Sequence, residues 1–382
     1  NNTFVGEEAG GGITTGDNNT AVGFCSLQAN TTGSSLTALG ACSLDSNTTG
    51  NENTGLGFRS LCSNTTGFQN TAVGSPVMRD NTTGNCNVAI GFRALDNNTT
   101  ASNNTAIGAA ALRCTTTGCE NTSVGSGSMA ANLTGDNNTA VGRDALLLNS
   151  VGNSNTAIGR LALYCNTASN NTAVGFCALR FNTTGDYNTA VGYKALEDLT
   201  TGIRNTGVGR LSIGNNATGS YNTGLGYSSL ALNTVDYNTA LGYAALAVNT
   251  TGTPNVAVGA NALNNNSEGY NNVAVGYDAM TDNSTGHSNA ALGTSALANN
   301  TTGANNSAVG HGAMFDNTTG GNNTALGYLA LGDNTTANNN TAVGYNALRV
   351  NTGAGNSAVG DQALDANTTA GDNTAMGYKA LT

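Results

Sequence analysis

Large apolar residues recur in this chain at two fixed places in a short repeat. Numbering the repeat from 1 to 17, with Asn238 at position 1 and Gly242 at position 5, gives 23 copies. Position 4 is Val, Leu, Ile or Met in every copy, and position 9 is Leu, Met or Ile in every copy except the first, which has Gly10. Of the 22 spacings between successive position-5 glycines, 19 are 17 residues and three are 16. Such a period predicts an architecture in which each turn of the chain stacks on the next.

The repeat predicts an all-β fold, a parallel β-solenoid (β-roll) of 23 rungs with 17 residues per rung, continuous over residues 1–382. The N-T-A-V-G segment is the predicted strand, and its glycine is expected at a corner that needs positive φ or close backbone approach. All three one-residue deletions fall between position 12 and the next position 1, which places N-T-T-G in a surface loop. The intervening Y-x-A-L segment is either a second short strand or one helical turn.

The two apolar columns are the predicted core. Position 4 is expected to point inward in residues such as Val22 and Leu241, and position 9 in residues such as Leu27 and Leu163. Position 2 is mostly Thr, shares the inward side of the strand with position 4, and is expected to be at least half buried. Position 3 then faces outward, because alternate strand residues point to opposite sides. The small Ala or Ser at position 8 fits a place where neighbouring turns approach closely.

Position 3 is Ala or Gly nearly everywhere and is never charged, which is unusual for an outward-facing position. It indicates either a packing surface for another chain or a crowded, glycan-covered strand face. Two large apolar side chains per rung make a thin core, which favours self-association as a trimer or a fibre bundle. The candidate chain-contact residues are Ala21, Ala72, Ala190, Ala240 and Ala308.

Position 1 is Asn in 22 of the 23 copies, with Leu36 as the exception. Stacked Asn amides form hydrogen bonds along a β-stack, so this column predicts a structural ladder. Its representatives are Asn19, Asn53, Asn70, Asn188, Asn238 and Asn323.

The Asn at position 12 begins an N-x-S/T sequon in 14 copies. If the loop edge is exposed, these residues are candidate N-glycan acceptors; alternatively, Asn, Thr and Gly are there because they form good turns. The candidates are Asn30, Asn47, Asn64, Asn81, Asn98, Asn132, Asn182, Asn216, Asn249, Asn283, Asn300, Asn317, Asn334 and Asn367.

The eight cysteines form four pairs of near neighbours along the predicted coil. Equivalent positions on adjacent rungs lie about 4.8 Å apart, within the usual Cα range of a disulfide. An even count with local pairings indicates an oxidising, extracellular setting, whereas the alternative is free thiols that replace Ala or Ser in the interior. The pairs are Cys25 with Cys42, Cys62 with Cys86, Cys114 with Cys119, and Cys165 with Cys177.

Composition excludes several classes of function. Charged residues make up 9% of the chain, and the formal net charge of −10 is scattered singly, so no basic patch indicates a nucleic-acid partner. The sequence contains no run of 18 apolar residues, so no membrane span is expected. There is no C-x-x-C pair, and His287 and His311 lie far from any cysteine, so we expect neither a metal site nor a cofactor. The start at Asn1 without Met predicts a processed product or the ordered part of a longer protein.

The N-T-A-V-G-Y motif, as in Asn340–Tyr345, resembles the head repeats of trimeric autotransporter adhesins (YadA-like) and related fibre proteins with N-T-A-V-G-Y-x-A-L repeats. The resemblance extends over every copy, although the family's head repeat is shorter and the N-T-T-G loop is additional. It implies an extracellular, fibrous or adhesive β-solenoid, with a trimer as one expected assembly.

These features together favour a structural segment of an extracellular fibre or filament at a cell or virion surface, with covalent or surface-bound glycans and no catalysis. No copy of the repeat is interrupted by the special residues that an active site needs. The alternatives are an adhesin head or a viral or phage tail-fibre shaft that mediates attachment, and an ice-binding solenoid. The ice-binding interpretation rests on the paired Thr at positions 13 and 14. Their loop varies in length, which interrupts the flat array that ice binding needs.

Overall fold

Short β-strands are the regular elements of the computed structural model, which describes residues 1–381. There is one strand per repeat, formed by positions 2–4 and extended to position 1 in two repeats. The chain divides into two units, Asn1–Asn188 and the residues from Thr189 onward. A single continuous body therefore stays a prediction, and each unit is a stack of rungs in its own right.

The strands of the first unit are β1 (Thr3–Val5), β2 (Thr20–Val22), β3 (Thr37–Leu39), β4 (Thr54–Leu56), β5 (Thr71–Val73), β6 (Val88–Ile90), β7 (Thr105–Ile107), β8 (Thr122–Val124), β9 (Thr139–Val141), β10 (Thr156–Ile158) and β11 (Thr172–Val174). Those of the second unit are β12 (Thr189–Val191), β13 (Thr206–Val208), β14 (Thr223–Leu225), β15 (Thr239–Leu241), β16 (Asn255–Val258), β17 (Asn272–Val275), β18 (Ala290–Leu292), β19 (Ser307–Val309), β20 (Thr324–Leu326), β21 (Thr341–Val343), β22 (Ser357–Val359) and β23 (Thr374–Met376).

Consecutive strands within each unit pair in parallel and in register. In β1 and β2, Thr3 lies opposite Thr20, and in β16 and β17, Val256 lies opposite Val273. Equivalent positions of successive rungs therefore stack in columns. The predicted parallel β-solenoid with one strand per repeat is confirmed.

Backbone hydrogen bonds also join the rungs outside the strands. The N–H of Leu246 donates to the carbonyl of Ala262 at 2.9 Å, and the N–H of Thr250 donates to the carbonyl of Ser267 at 3.0 Å. The Y-x-A-L segment, residues 243–246 in this rung, is neither a second strand nor a helical turn. It is a series of turns in which Ala244 and Leu246 both have a left-handed φ of 50°. This conformation is unusual for residues other than glycine, and the ladder to the adjacent rungs holds it.

The position-5 glycines form the corner that follows each strand, as expected. At Gly276, φ is 145°, and an added Cβ would lie 2.3 Å from the carbonyl oxygen of Gly293 in the next rung. Both the backbone angle and the close approach of the next rung therefore require glycine at this position.

The strand faces the opposite way from the sequence prediction. Ala240 at position 3 is 0% exposed, whereas Leu241 at position 4 is 46% exposed and Thr239 at position 2 is also exposed. Position 9 is buried as predicted, with Leu246 at 0%, and so is the small residue at position 8, Ala245. The predictions that position 4 belongs to the core and that position 2 shares its inward side are wrong, although position 2 is only partly exposed in many rungs.

The interior of a rung explains this inversion, because it is too narrow for a large side chain on the strand. Position 3 faces the side chains of positions 8 and 9 across the rung. A Cβ added to Gly55 at position 3 would lie 2.5 Å from Ser43 Oγ, and one added to Gly207 would lie 3.1 Å from Leu196 Cδ1. Ala or Gly fills this space, and the larger Val, Leu or Ile at position 4 must point to the outside.

The first rung contains an exchange that supports this arrangement. Phe4 stands at position 3, and Gly10 replaces the usual Leu at position 9. A Cβ on Gly10 would lie 2.8 Å from Phe4 Cε1, so the aromatic ring occupies the space that the position-9 side chain takes in other rungs. This coupled exchange is a signal in the sequence that positions 3 and 9 face each other.

Candidate contact surface and buried asparagine columns

The position-1 asparagines form a buried column in each unit. Asn70 Oδ1 accepts a hydrogen bond from the backbone N–H of Asn87 at 3.0 Å, and Asn70 Nδ2 donates to the carbonyl of Gly84 at 2.8 Å. Each amide thus links the strand of one rung to the strand and the loop of its neighbours. The predicted ladder residues Asn19, Asn53, Asn70, Asn188, Asn238 and Asn323 are all buried in this column.

A second buried asparagine column lies at position 12. Asn266 Nδ2 donates to Asn249 Oδ1 at 2.9 Å and to the carbonyl of Gly269 at 2.8 Å. Asn266 Oδ1 accepts from Asn283 Nδ2 at 2.7 Å. The sequence does not predict this amide-to-amide ladder, because the same residues fit an exposed glycan acceptor or a turn.

The predicted exposure of the sequon asparagines is wrong for 13 of the 14 candidates, which are 0% exposed. Asn367 is the exception, at intermediate exposure. The loop backbone lies at the surface, but the amide turns inward because it bonds the carbonyl of position 15 and the amides of adjacent rungs. A glycan on Nδ2 would displace these bonds in the folded chain, so glycan attachment stays a prediction that this placement disfavours. The residues at 0% are Asn30, Asn47, Asn64, Asn81, Asn98, Asn132, Asn182, Asn216, Asn249, Asn283, Asn300, Asn317 and Asn334.

The three shorter rungs preserve this column. Asn166 Nδ2 donates to the carbonyl of Ala168 at 2.8 Å, and Asn233 Nδ2 donates to that of Val235 at 2.7 Å. The acceptor lies two residues ahead in these rungs, and in the 17-residue rungs it lies three residues ahead. The deletion therefore removes an exposed threonine position and leaves the interior unchanged.

The predicted chain-contact face is buried, so this prediction is wrong. Ala21, Ala72, Ala190, Ala240 and Ala308 are each 0% exposed and line the interior of their own rungs. They stay small and uncharged because they pack against positions 8 and 9, as described above, and a partner chain does not reach them.

The surface that is exposed instead consists of the outward side chains at positions 2 and 4, which we call the outer strip. Position 4 includes some of the most exposed aliphatic side chains of the second unit, with Leu241 at 46%, Leu292 at 51% and Leu326 at 47%. Neither position carries a charged residue in any of the 23 copies. The outer strip is therefore an uncharged sheet face of threonine and aliphatic residues.

Aromatic residues at position 6 flank the outer strip. Tyr328 and Tyr345 stack with ring centroids 5.3 Å apart, and Tyr227 and Tyr243 stack at 5.4 Å. The guanidinium of Arg210 lies 5.4 Å from the ring of Tyr227. Stacking along the column leaves the edges of these rings at the surface and extends the apolar area beside position 4.

None of the eight cysteines forms a disulfide in the structure, so the four predicted disulfides are not formed there. Cys25 and Cys177 are buried, as the free-thiol alternative expects, whereas Cys86 is exposed. Burial and a hydrogen bond of 3.4 Å to a carboxylate oxygen of Glu8 raise the pKa of Cys25 to about 11. This thiol is therefore protonated at neutral pH. Disulfide formation in the oxidised protein stays a prediction.

A cluster of charged residues lies on the first unit. Arg79 Nε is 2.9 Å from Asp80 Oδ1, and the same guanidinium is 3.7 Å from Asp96 Oδ2. Asp96 is buried, and its Oδ1 has no hydrogen-bond partner. Burial raises the pKa of Asp96, and the neighbouring Arg79 opposes this shift only in part. The carboxylate is consequently a destabilising group at neutral pH.

Comparisons with known proteins add no assignment to the groups described so far. Among residues 1–381, no three or more His, Cys, Asp and Glu side chains are grouped so as to hold a metal ion. Within the same range, no helix has the length and apolar character needed to cross a membrane. No protein-family model and no curated protein matches this chain. The resemblance to autotransporter head repeats therefore stays an expectation from the motif.

Proposed function

We propose that this chain is a structural segment of an extracellular fibre or filament at a cell or virion surface, with no catalytic role. The observation that supports this function is the pair of buried asparagine columns. Together with the backbone ladder, they bond each rung to its neighbours along the stacking direction. Asn249, Asn266 and Asn283 illustrate this chain of amides within the second unit.

Such a ladder suits a mechanical role. A load along the stacking direction is shared among several hydrogen bonds per rung, and each rung contacts only the adjacent ones, as in other solenoids. The interior is filled by the side chains of position 9, the small residues of positions 3 and 8 and the asparagine amides. The conserved geometry of every copy thus serves stacking.

Electron microscopy of the native material tests this function directly. We expect long fibres in which antibodies raised against this chain label the shaft at regular intervals. Discrete particles without fibres, or label confined to a fibre tip, would contradict the structural role. Label at the tip would favour the adhesin or tail-fibre alternative instead.

The exposed threonines at position 2, and not those at position 13, favour ice binding as a second candidate. The threonine hydroxyls at position 13 donate to carbonyls of the next rung, as in Thr31 to Thr48 at 3.0 Å, so they are not free to order water. Position 2 is Thr in most rungs, and some of these threonines, such as Thr20 and Thr37, are exposed on the sheet face. Thermal hysteresis in solution, lost on replacing these threonines by lysine, would support that function in place of the structural one.

A further inference from the structure

A second set of N-x-S/T sequons lies at position 17, the last residue of each copy. Position 17 is Asn in eight copies, and in seven of these a position-1 Asn and a position-2 Thr or Ser complete the sequon. The fold itself requires the middle residue, because position 1 forms the buried ladder, and position 2 begins the strand. An Asn at position 17 therefore becomes a sequon wherever position 2 keeps a hydroxyl. The seven residues are Asn18, Asn103, Asn137, Asn170, Asn305, Asn322 and Asn339.

The position-17 side chains lie at the surface, unlike those of position 12. All seven are exposed, and within residues 1–381 none of their side-chain amides makes a hydrogen bond. Their backbone is nevertheless fixed to the previous rung. The N–H of Asn103 donates to the carbonyl of Asn85 at 3.0 Å, and that of Asn322 donates to the carbonyl of Ala304 at 2.9 Å. A sugar on Nδ2 at position 17 therefore displaces no hydrogen bond of the fold.

The backbone conformation at position 17 does not by itself require asparagine. At Asn103 φ is 60°, in the left-handed region where Asn is enriched. Gln69 and Tyr221 adopt nearly the same angle at the equivalent place, with φ of 55° and 59°. The position thus accepts long and bulky side chains, which shows that there is room for a substituent on the amide.

The sequons that begin at position 11 are less suitable acceptors. Asn265 Nδ2 donates to Asp282 Oδ1 at 2.9 Å, and Asn299 Nδ2 donates to Asp316 Oδ1 at 2.9 Å. Asn97, the third, is only partly exposed. Position 17 is therefore the place where a sequon, an exposed side chain and an amide without a hydrogen bond occur together.

We propose that the position-17 asparagines are the N-glycan acceptors of this chain, in place of the buried asparagines of position 12. The co-substrate is a lipid-linked oligosaccharide pyrophosphate, used by an oligosaccharyltransferase. Nδ2 bonds to C1 of the first sugar, the C1–O bond to the pyrophosphate breaks, the lipid pyrophosphate leaves with the electron pair, and the amide nitrogen releases one proton. This inference rests on the extracellular location in the proposed function, and it places the sugars along the edge beside the position-1 ladder.

Peptide mapping of the full chain, secreted from cultured mammalian cells, tests this assignment. Enzymatic removal of the glycans in heavy-oxygen water converts each occupied asparagine to labelled aspartate. Asn98 and Asn103 are a matched pair, since both begin an N-x-T sequon in one loop. A sugar on Asn98 would remove its buried hydrogen bonds to Asn81 and Ala101. We therefore expect occupancy in the folded protein to be at least about 10 times higher at Asn103 than at Asn98.

Two variants separate sugar attachment from folding. Asn103→Gln should lose one glycan, and its urea midpoint, measured on protein from a host that does not attach N-glycans, should equal that of the wild type because Gln69 occupies the equivalent place. Asn98→Gln should lose no glycan and should unfold at lower urea in the same host.

Unmodified asparagine at all seven sites, or a glycan lost in Asn98→Gln, would overturn the assignment. Fibres whose position-17 asparagines carry no sugar would overturn only this assignment. Sugars at position 17 on a chain that forms no fibres would overturn only the structural function.

Discussion

Removing one amide from the position-12 column should destabilise the second unit by several kcal/mol. In Asn266→Ala, Asn249 Oδ1 loses the donor at 2.9 Å, and Asn283 Nδ2 loses the acceptor at 2.7 Å. The carbonyl of Gly269 loses one donor but keeps Asn255 Nδ2 at 2.8 Å, and Asn283 Nδ2 keeps the carbonyl of its own loop. The buried oxygen of Asn249 is therefore the group that suffers most.

The magnitude follows from these three bonds. An orphaned buried acceptor costs about 1–3 kcal/mol, and each of the other two lost bonds contributes about 0.5–1.5 kcal/mol. The expected loss in the free energy of unfolding is therefore about 2–6 kcal/mol. Neighbouring Asn265→Ala is the matched control, since Asn265 is exposed and its amide bonds only the surface carboxylate of Asp282 among the contacts described. Its effect should stay below about 0.5 kcal/mol.

Urea unfolding followed by circular dichroism measures both variants, expressed in a host that does not attach N-glycans. Hydrogen exchange adds a local measurement, because a broken ladder should speed the exchange of amides on the rungs of Asn249 and Asn283 more than elsewhere. Equal unfolding midpoints for Asn266→Ala and Asn265→Ala would refute the claim that the buried column carries stability.

Three further outcomes follow from the corner, the charged cluster and the cysteines. Gly276→Ala should lower the free energy of unfolding in urea by at least about 2 kcal/mol, because of its positive φ and the adjacent carbonyl. The control Gly214→Ala, whose Cβ would meet no atom closer than 3.3 Å, should lower it much less. Similar losses in the two variants would contradict the corner assignment. Because the folded-state pKa of Asp96 is raised above its unfolded value, the folded state binds more protons. The unfolding free energy should thus increase as pH falls from 7 through the folded pKa and level off below the unfolded pKa of about 3.9. Asp96→Asn should reduce this pH dependence. An unchanged pH profile in that variant would contradict the role of Asp96. Iodoacetamide at pH 7.5 should label Cys86 at least about 10 times faster than Cys25, because only the former is exposed and the thiolate is the reactive form. Labelling of Cys86 only after reduction would instead support its predicted disulfide.

The period of the sequence was sufficient to predict the solenoid, because stacking copies of one repeat allows only one register. The deletions located the loop, and the invariant glycine located the corner at Gly276 and its equivalents. These predictions depend on spacing, which the sequence states directly. They needed no knowledge of the width of the rung.

The facing of the strand could not be predicted from spacing alone. Alternation of residues shows that positions 3 and 4 lie on opposite sides, but it does not show which side is inside. The larger side chain was assigned to the core, and the cross-section of the rung proved too narrow for it, as Gly55 and Gly207 show. The exchange of Phe4 with Gly10 is the sequence feature that would have reversed the assignment.

The burial of the asparagine at position 12 could not be predicted for a related reason. A sequon and a turn motif have the same letters, and the sequence does not show whether the amide points to solvent or to the interior. Recurrence offered a better clue, since Asn266 keeps the residue type without forming a sequon. A column that keeps Asn where glycosylation is impossible serves the fold.

Nearest-neighbour stacking has a genetic consequence. Unequal recombination between two copies of the repeat adds or removes whole rungs, and the new junction joins surfaces that already match. Both asparagine columns would continue across a junction between rungs that carry Asn at positions 1 and 12, as most rungs do. Loss of a single codon is tolerated only at the exposed threonine of the loop, as in the rungs of Asn166 and Asn233. The length of such a gene can therefore drift in steps of one rung while its protein keeps the same cross-section.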